Sequence, residues 1–149
     1  KNYNVIMTRE TADVNISNAE RAEIANNANA NITIRIHCDS INDSGKTGAT
    51  ILIPAKDCQY TKGIYCESNS YAEILKKVLQ DNNIKVNGIF QRNDITGFNW
   101  SRVPVVILEM GFMSNYNEDQ MLSDPAYQKL LMKCVSEAID NYSEKVLKG

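Results

Sequence analysis

The stretch that decides the fold is residues 103–115, VPVVILEMGFMSN. It is an almost continuous apolar run, rich in β-branched residues, that stops at a carboxylate, Glu109. Runs of this kind are typical of a strand buried on both faces inside an α/β sheet. Ligands of open α/β sheets bind outside the carboxyl ends of the strands, so Glu109 is a candidate functional group. The alternative is a strand-end glutamate that only reaches solvent or an arginine.

Two further strands are indicated upstream of this stretch. Residues 32–39, ITIRIHCD, alternate strictly between apolar and polar side chains, which predicts a strand with His37 and Asp39 on its polar face. Residues 48–53, GATILI, predict another strand. The eight residues between them are too few for a parallel crossover, which needs about a dozen. The two strands therefore pair antiparallel or are not neighbours, and the sheet is mixed.

Capping and turn signals predict the remaining elements. Additional strands are expected at 3–8 and, weakly, at 84–90. Helices are expected from a Ser17/Glu20 capping box to about residue 30, at 69–81, after an Asn115/Glu118 cap, and from Asp124-Pro125 onward. The 149 residues are one domain's length. We predict a single-domain α/β fold with a mixed, mostly parallel sheet flanked by helices on both faces.

Composition and cysteine spacing narrow the classes of function. The formal net charge of −2 and the pI of about 5.4 give no reason to expect a nucleic acid or a membrane surface as partner. No apolar run approaches the roughly 20 residues of a membrane span. We also expect the protein to be a monomer. The sequence contains no C-x-x-C pair, so it gives no indication of a structural zinc site. Cys38 and Cys134 are expected in the core, whereas Cys58 and Cys66 are either free or bridged.

The chemistry-bearing residues include a single histidine, His37. It lies near the carboxyl end of its strand, as Glu109 does, so the two could act as metal ligand and general base. A lone histidine is also commonly a hydrogen-bonded structural residue. A catalytic zinc takes three protein ligands, so His37 would need carboxylates such as Asp39. Cys38 points to the opposite strand face from His37, which removes a cysteine–histidine pair.

A series of short motifs occurs in a distinctive order along the chain. The most specific is Pro104 to Asn115, and RIHCD at 35–39 comes before it. The others are Thr8-Arg9 with Asp13, Arg21 with Ala25 and Asn26, and Asp124-Pro125 with Tyr127 and Gln128. Over nearly the whole chain these motifs resemble the Amidase_3 family, zinc-dependent N-acetylmuramoyl-L-alanine amidases that hydrolyse peptidoglycan.

The resemblance implies roles for particular residues. His37 matches a zinc ligand and Glu109 matches the catalytic base. The family's other ligands, a second histidine and a glutamate, belong to an earlier segment that we expect upstream of Lys1. Residues 1–149 are therefore expected to be an amidase catalytic domain that lacks the family's first strand and helix.

Two positions near the zinc ligand depart from the family's pattern. Arg35 stands where the family usually has serine, and Asp39 where it usually has asparagine. The first places a cation, and the second an extra acid, close to the expected metal. Both departures are expected to change the affinity of the site for its metal ion.

The resemblance also implies the reaction and its setting. We expect Zn²⁺-dependent hydrolysis of the amide between N-acetylmuramic acid and L-alanine of the stem peptide. The partner is peptidoglycan and the location is extracytoplasmic, cell wall-associated or secreted, in a bacterium. Ser40, Asn42 and Arg92 are candidate substrate contacts on loops. The alternatives are a non-catalytic module of the same fold that binds peptidoglycan or a partner, and a different zinc peptidase of stem peptides.

Overall fold

Four strands and five helices are found in residues 2–148, the part of the chain that this computed structural model describes. In chain order they are α1 (Asn18–Asn27), β1 (Thr33–Asp39), β2 (Ala49–Pro54), α2 (Tyr65–Asp81), β3 (Val86–Arg92), α3 (Thr96–Asn99), β4 (Val105–Phe112), α4 (Tyr116–Ser123) and α5 (Pro125–Lys148). Among these helices none is both long enough and apolar enough to cross a bilayer. The element order confirms the predicted α/β class.

The strands form one mixed sheet in the order β1-β4-β2-β3. β4 pairs in parallel with β1 and antiparallel with β2, and β2 pairs in parallel with β3. β1 and β2 are not neighbours, which is one of the two arrangements predicted for them. Strand direction reverses between β4 and β2. The carboxyl ends of β1 and β4 therefore lie at one end of the sheet, and those of β2 and β3 lie at the other.

β4 is buried on both faces, which confirms the interpretation of the apolar run. Val106 and Leu108, both 0% exposed, face the core that the sheet makes with α2 and α5. Val105 and Ile107 face the opposite way and pack with Phe98 of α3. Side chains alternate along an extended strand, which produces this division. Packing on both faces fixes the position of the strand that carries Glu109.

Helices cover both faces of the sheet, as predicted. α2 and α5 pack together on one face, where the rings of Tyr71 and Tyr142 meet edge to face with centroids 5.6 Å apart. α3 lies on the other face, with α1 beside it. α2 begins at Tyr65, before the predicted residue 69. The buried Ser68 is part of this extra turn, and its hydroxyl accepts a hydrogen bond of 3.0 Å from the Val105 N–H.

The strand predicted at 3–8 is not formed. Residues 2–16 contain no strand or helix, and the side chains of Val5, Ile6 and Met7 are 72%, 52% and 62% exposed. A strand is stable only when a neighbour takes up its backbone hydrogen bonds, and β1, at the edge of the sheet, does not pair with this segment. The Tyr3 hydroxyl, which donates to Asp140 Oδ1 at 2.7 Å, connects the segment to α5 instead.

Two other boundaries differ from the sequence predictions. β3 begins at Val86, because Ile84 still belongs to the turn after α2, where its N–H donates to the Leu79 carbonyl at 3.0 Å. The polar loop predicted at 91–102 contains the short helix α3. The buried Phe98 holds this helix against the sheet.

The four cysteines all lie in the described range and are free thiols. Cys134 is 0% exposed and Cys38 packs against the same core, which confirms the prediction for both. Cys66 is exposed and Cys58 is half-buried. Of the two states left open for this second pair, the structure shows the unbridged one.

Candidate active site

Three strands each bring one polar side chain to the same place. The β1–β4 register sets His37 opposite Glu109, and the β4–β2 register sets Thr50 opposite Glu109 on its other side. Directly opposed residues of neighbouring strands point to the same face of a sheet. Here that face is the one covered by α1 and α3. The predicted proximity of His37 and Glu109 is therefore confirmed by the register.

Glu109 carries a carboxyl group with an unusual environment. Its Oε2 is buried and has no hydrogen-bond partner among residues 2–148. Burial, assisted by the negative charge of Asp39, raises the pKa of Glu109 from 4.5 to about 7, and the Arg35 charge opposes this rise. Such a carboxyl group is present in both protonated and ionised forms near neutral pH. It can therefore take up and release a proton at physiological pH.

His37 is kept neutral by its surroundings. Partial burial of the ring lowers the pKa of His37, and the positive charges of Arg35, Arg21 and Arg9 lower it further. The neutral imidazole is the form that binds metal ions. The same three cations would repel a divalent ion at this position. His37 is thus available as one metal donor within a site that needs further negative ligands.

Arg35 is fixed beside the site between two helices. Its Nη2 donates to Asn18 Oδ1 at 2.6 Å, at the start of α1. Its Nη1 lies so close to the backbone of Gly97 in α3 that a Cβ at that glycine would collide with it. The guanidinium is therefore held in place, and its charge acts on both His37 and Glu109.

The described residues do not complete a metal site. Within residues 2–148 no group of three His, Cys, Asp or Glu side chains is arranged to hold an ion. Asp39, the predicted additional acid, follows an irregularity in the β1–β4 pairing, and its Oδ1 accepts from the Ser40 N–H at 2.7 Å. A catalytic zinc takes three protein ligands. These residues by themselves therefore do not fit a zinc ion.

Two of the predicted substrate contacts lie near the site. Ser40 and Asn42 are exposed on the loop after β1, at the same end of the sheet as Glu109. The Ile41 N–H, between them, donates to Ser114 Oγ at 3.3 Å. This bond ties the loop to the turn that follows β4.

Arg92 lies far from this cluster, so the expectation that its loop is near the site is wrong. It pairs with Pro54 of β2, whereas Thr50 is the β2 residue opposite Glu109. Along a strand that difference corresponds to about 13 Å. The Arg92 guanidinium instead forms an ion pair with Asp94 at 2.7 Å.

Glu118 has a role that its predicted capping box does not describe. Asn115 Oδ1 accepts from the Glu118 N–H at 3.0 Å, as a helix cap should. The Glu118 carboxylate, however, accepts from the N–H groups of Gly48 and Phe112, each at 2.7 Å. It therefore joins the start of β2 to the end of β4, the strand of Glu109.

Thr50 was absent from the residues selected by sequence. It is the one polar side chain inside the strand GATILI, and this was the only feature of the sequence that could have marked it as a site residue. Its hydroxyl accepts from Asn87 Nδ2 at 3.3 Å. Only the antiparallel β2–β4 pairing, which joins segments far apart in sequence, places it beside Glu109.

These observations define an α/β domain in which a carboxyl group of near-neutral pKa and a neutral imidazole lie side by side near the carboxyl ends of two parallel strands. The profile of the Amidase_3 family, N-acetylmuramoyl-L-alanine amidase, matches residues 1–141. The chain belongs to this family.

Individual relatives agree with the family assignment. The chain is 27% identical over 154 residues to a putative N-acetylmuramoyl-L-alanine amidase of Buchnera aphidicola, covering 87% of this chain and 71% of that protein. It is 26% identical to the probable cell wall amidase LytH of Staphylococcus saprophyticus, covering 93% of this chain but only 42% of LytH.

Solved structures show the same fold. An N-acetylmuramoyl-L-alanine amidase from Clostridium difficile 630 superposes with a TM-score of 0.78 at 23% identity, covering 91% of this chain and 69% of that one. At this level of identity the likeness is one of fold.

Proposed function

We propose that this chain is the catalytic domain, without the family's first strand and helix, of a peptidoglycan amidase. The reaction is hydrolysis of the amide between N-acetylmuramic acid and L-alanine of the stem peptide. The observation that carries the proposal is the Glu109 carboxyl group, buried without a partner and raised in pKa to about 7, beside His37 in a chain of this family.

In this proposal Glu109 is the general base and then the general acid. Its ionised form takes a proton from the attacking water, and its protonated form delivers a proton to the leaving amine of L-alanine. A pKa near the working pH suits both steps, because neither the base nor the acid form is scarce. The missing hydrogen-bond partner of Oε2 leaves this oxygen uncommitted to any other protein group among residues 2–148.

His37 would be one ligand of a zinc ion, and the other ligands would come from a segment upstream of Lys1. A bound zinc ion supplies a Lewis acid, which lowers the pKa of water and stabilises negative charge on a carbonyl oxygen. The lowered pKa of His37 supports the role, since the imidazole is already in the metal-binding form. Negative ligands from that segment would also offset the charges of the three arginines around His37.

Substrate and setting follow from the family. The exposed Ser40 and Asn42 would contact the glycan or stem peptide at the edge of the site. Arg92, at the other end of the sheet, would not. We propose a monomer that acts on peptidoglycan outside the bacterial cytoplasm, as the description of a relative as a cell wall amidase suggests.

The competing proposal is a module that binds peptidoglycan without cleaving it. The incomplete ligand set within residues 2–148 favours it. The unpartnered Glu109 carboxyl group opposes it, because burying such a group costs stability and brings nothing to a pure binder. A zinc peptidase that cuts another bond of the stem peptide is the second alternative, and product analysis separates it.

The test uses the longest natural form of the protein, with zinc, on purified muropeptides. Glu109→Gln should retain its zinc and lose about 10²- to 10⁴-fold in kcat. Glu73→Gln, an exposed glutamate on α2, is the matched control and should keep full activity. Mass spectrometry of the products should show stem peptides that begin with L-alanine. A Glu109→Gln enzyme with wild-type kcat would refute the assignment of the base, and absence of both zinc and hydrolysis would leave the binding module.

A further inference from the structure

A cavity lies outside the candidate active site. It has a volume of about 560 Å³ and is lined by Glu23, Tyr60, Asn99, Trp100 and Arg102. Ligand pockets commonly have volumes of roughly 300 to 1,000 Å³. The lining comes from α1, from the loop after β2 and from the segment around α3. We call it the aromatic cleft.

Helix α1 contacts the aromatic cleft and the candidate active site toward its two different ends. At the end of α1, Asn26 donates to the Trp100 carbonyl at 3.0 Å and accepts from the Arg102 N–H at 2.8 Å. At its start, Asn18 accepts from Arg35, which lies beside the site. The eight-residue step from Asn18 to Asn26 spans about 12 Å along the helix axis. The cleft is therefore a separate place, near the opposite end of the sheet.

The aromatic cleft presents two large rings to solvent. Trp100 is 54% exposed and Tyr60 is 64% exposed, whereas Phe98, on the same short segment as Trp100, is 0% exposed. Within residues 2–148 neither the Trp100 indole N–H nor the Tyr60 hydroxyl has a protein hydrogen-bond partner. Exposed aromatic rings that each keep a polar group free are typical of binding surfaces.

The polar groups around the rings carry no net charge. Arg102 Nη2 and Glu23 Oε2 form an ion pair at 3.1 Å, with the side chains 71% and 38% exposed. The Asn99 side chain is fixed by its bond to the Asn93 carbonyl at 3.0 Å. The cleft thus offers flat apolar faces next to neutral sets of donors and acceptors. A ligand that matches it has one apolar face and a rim of uncharged polar groups.

A pyranose ring has this chemistry, since its axial C–H bonds form an apolar face and its equatorial substituents are hydroxyl and acetamido groups. Ring C–H bonds are attracted to the negative face of an aromatic ring. We propose that the aromatic cleft binds one sugar ring of a glycan strand, stacked on Trp100 and Tyr60 and hydrogen-bonded by Arg102 and Glu23. A charged stem peptide would not use the aromatic faces in this way.

The identity of the glycan as peptidoglycan rests on the proposed function. Peptidoglycan strands repeat amino sugars, so a strand with one unit at Glu109 can place another of its units in the cleft. Two weak contacts on one polymer raise its apparent affinity without any change at the reacting bond. The cleft would therefore hold the enzyme on glycan strands between cleavage events.

The chain supplies its own reporter for this site, because Trp100 is the only tryptophan. The experiment titrates the 149-residue chain with chitotetraose, a soluble tetramer of N-acetylglucosamine, while its tryptophan fluorescence is recorded. We expect a saturable change whose affinity Tyr60→Ala lowers about 2- to 13-fold, as the loss of one stacking ring implies. Phe90→Ala, which removes a ring that is 50% exposed on β3, is the matched control and should bind like the parent.

Three results would overturn the proposal. One is no fluorescence change up to about 10 mM sugar, a concentration at which even a weak site fills. The second is an unchanged affinity in Tyr60→Ala, and the third is a response to an L-alanyl-γ-D-glutamyl peptide in place of the sugar. Glu109→Gln should bind chitotetraose normally. Hydrolysis is measured separately, on muropeptides with the longest natural form and zinc. Chitotetraose binding without that hydrolysis would count against the amidase assignment alone, and that hydrolysis without chitotetraose binding against the cleft alone.

Discussion

Replacing Glu109 by glutamine should stabilise the isolated chain, with a gain that appears above about pH 4.5 and is complete above about pH 7. The carboxyl group titrates at 4.5 when unperturbed and at about 7 in the folded protein. Below pH 4.5 the carboxyl group is protonated in both the folded and the unfolded protein and does not change the free energy of unfolding. Between the two values the folded protein keeps a proton that the unfolded chain has released, so the free energy of unfolding falls as pH rises. Above about pH 7 this loss is complete.

The full shift would correspond to about 3.4 kcal/mol, since one pKa unit is about 1.36 kcal/mol. Glu109 is only half-buried, and solvent screening reduces the effect. We therefore expect Glu109→Gln to be about 1 to 2 kcal/mol more stable than the parent at pH 8 and nearly equal to it at pH 4. The assay is urea unfolding of both proteins in chelator across this range.

The exposed Glu73→Gln variant on α2 is the control for loss of one negative charge and should show no such pH-dependent gain. A stability difference between Glu109→Gln and the parent that stays constant from pH 4 to pH 8 would refute the reasoning. It would mean that the folded protein does not raise the pKa of Glu109.

Three other substitutions test the packing around the site and the core. Gly97→Ala should lower the free energy of unfolding in urea by about 1 kcal/mol, because the new Cβ collides with Arg35 and breaks its hydrogen bond to Asn18. In an Arg35→Ala background the same substitution should cost nothing if that collision is the cause. Tyr71→Phe should be neutral or stabilising by about 1 kcal/mol, because the Tyr71 hydroxyl is buried without a partner; a loss of stability would show that it has one. Leu108→Ala should cost about 2 to 5 kcal/mol, and a loss below 1 kcal/mol would contradict the burial of β4 on both faces.

Sequence patterns predicted those elements whose signals are local. The apolar run before Glu109 predicted β4, the Ser17/Glu20 pair predicted the start of α1, and Pro125 marked the start of α5. Each depends on the chemistry of a few consecutive residues. Capping and burial on both faces leave a trace within such a window.

Elements that depend on distant partners were predicted poorly. Residues 3–8 have a strand-like composition, but no neighbouring strand takes up their hydrogen bonds. Arg92 was assigned to the site because its loop was expected to lie near it. The direction of β3 is set by its pairing with β2, which no local pattern records.

The candidate site divides in the same way. His37 and Glu109 could be selected because each is an ionisable residue near the end of a strand-like segment. The position of Thr50 beside Glu109, and the hydrogen bonds by which Glu118 joins β2 to β4, could not be predicted, since both depend on pairing across the sheet. The raised pKa of Glu109 was also out of reach, because burial of a side chain is a property of the packed structure.

The β1–β4 pairing also determines when the site can form during folding. His37 and Glu109 meet only through this contact, and four of the nine described elements, β2, α2, β3 and α3, lie between them in sequence. Closing so long a loop is slow, and it precedes any gain from the contacts it allows. During synthesis the pair cannot assemble until β4 has left the ribosome, after β2 and β3 are already available to pair with each other. A product truncated between His37 and Glu109 would therefore contain the histidine but no site.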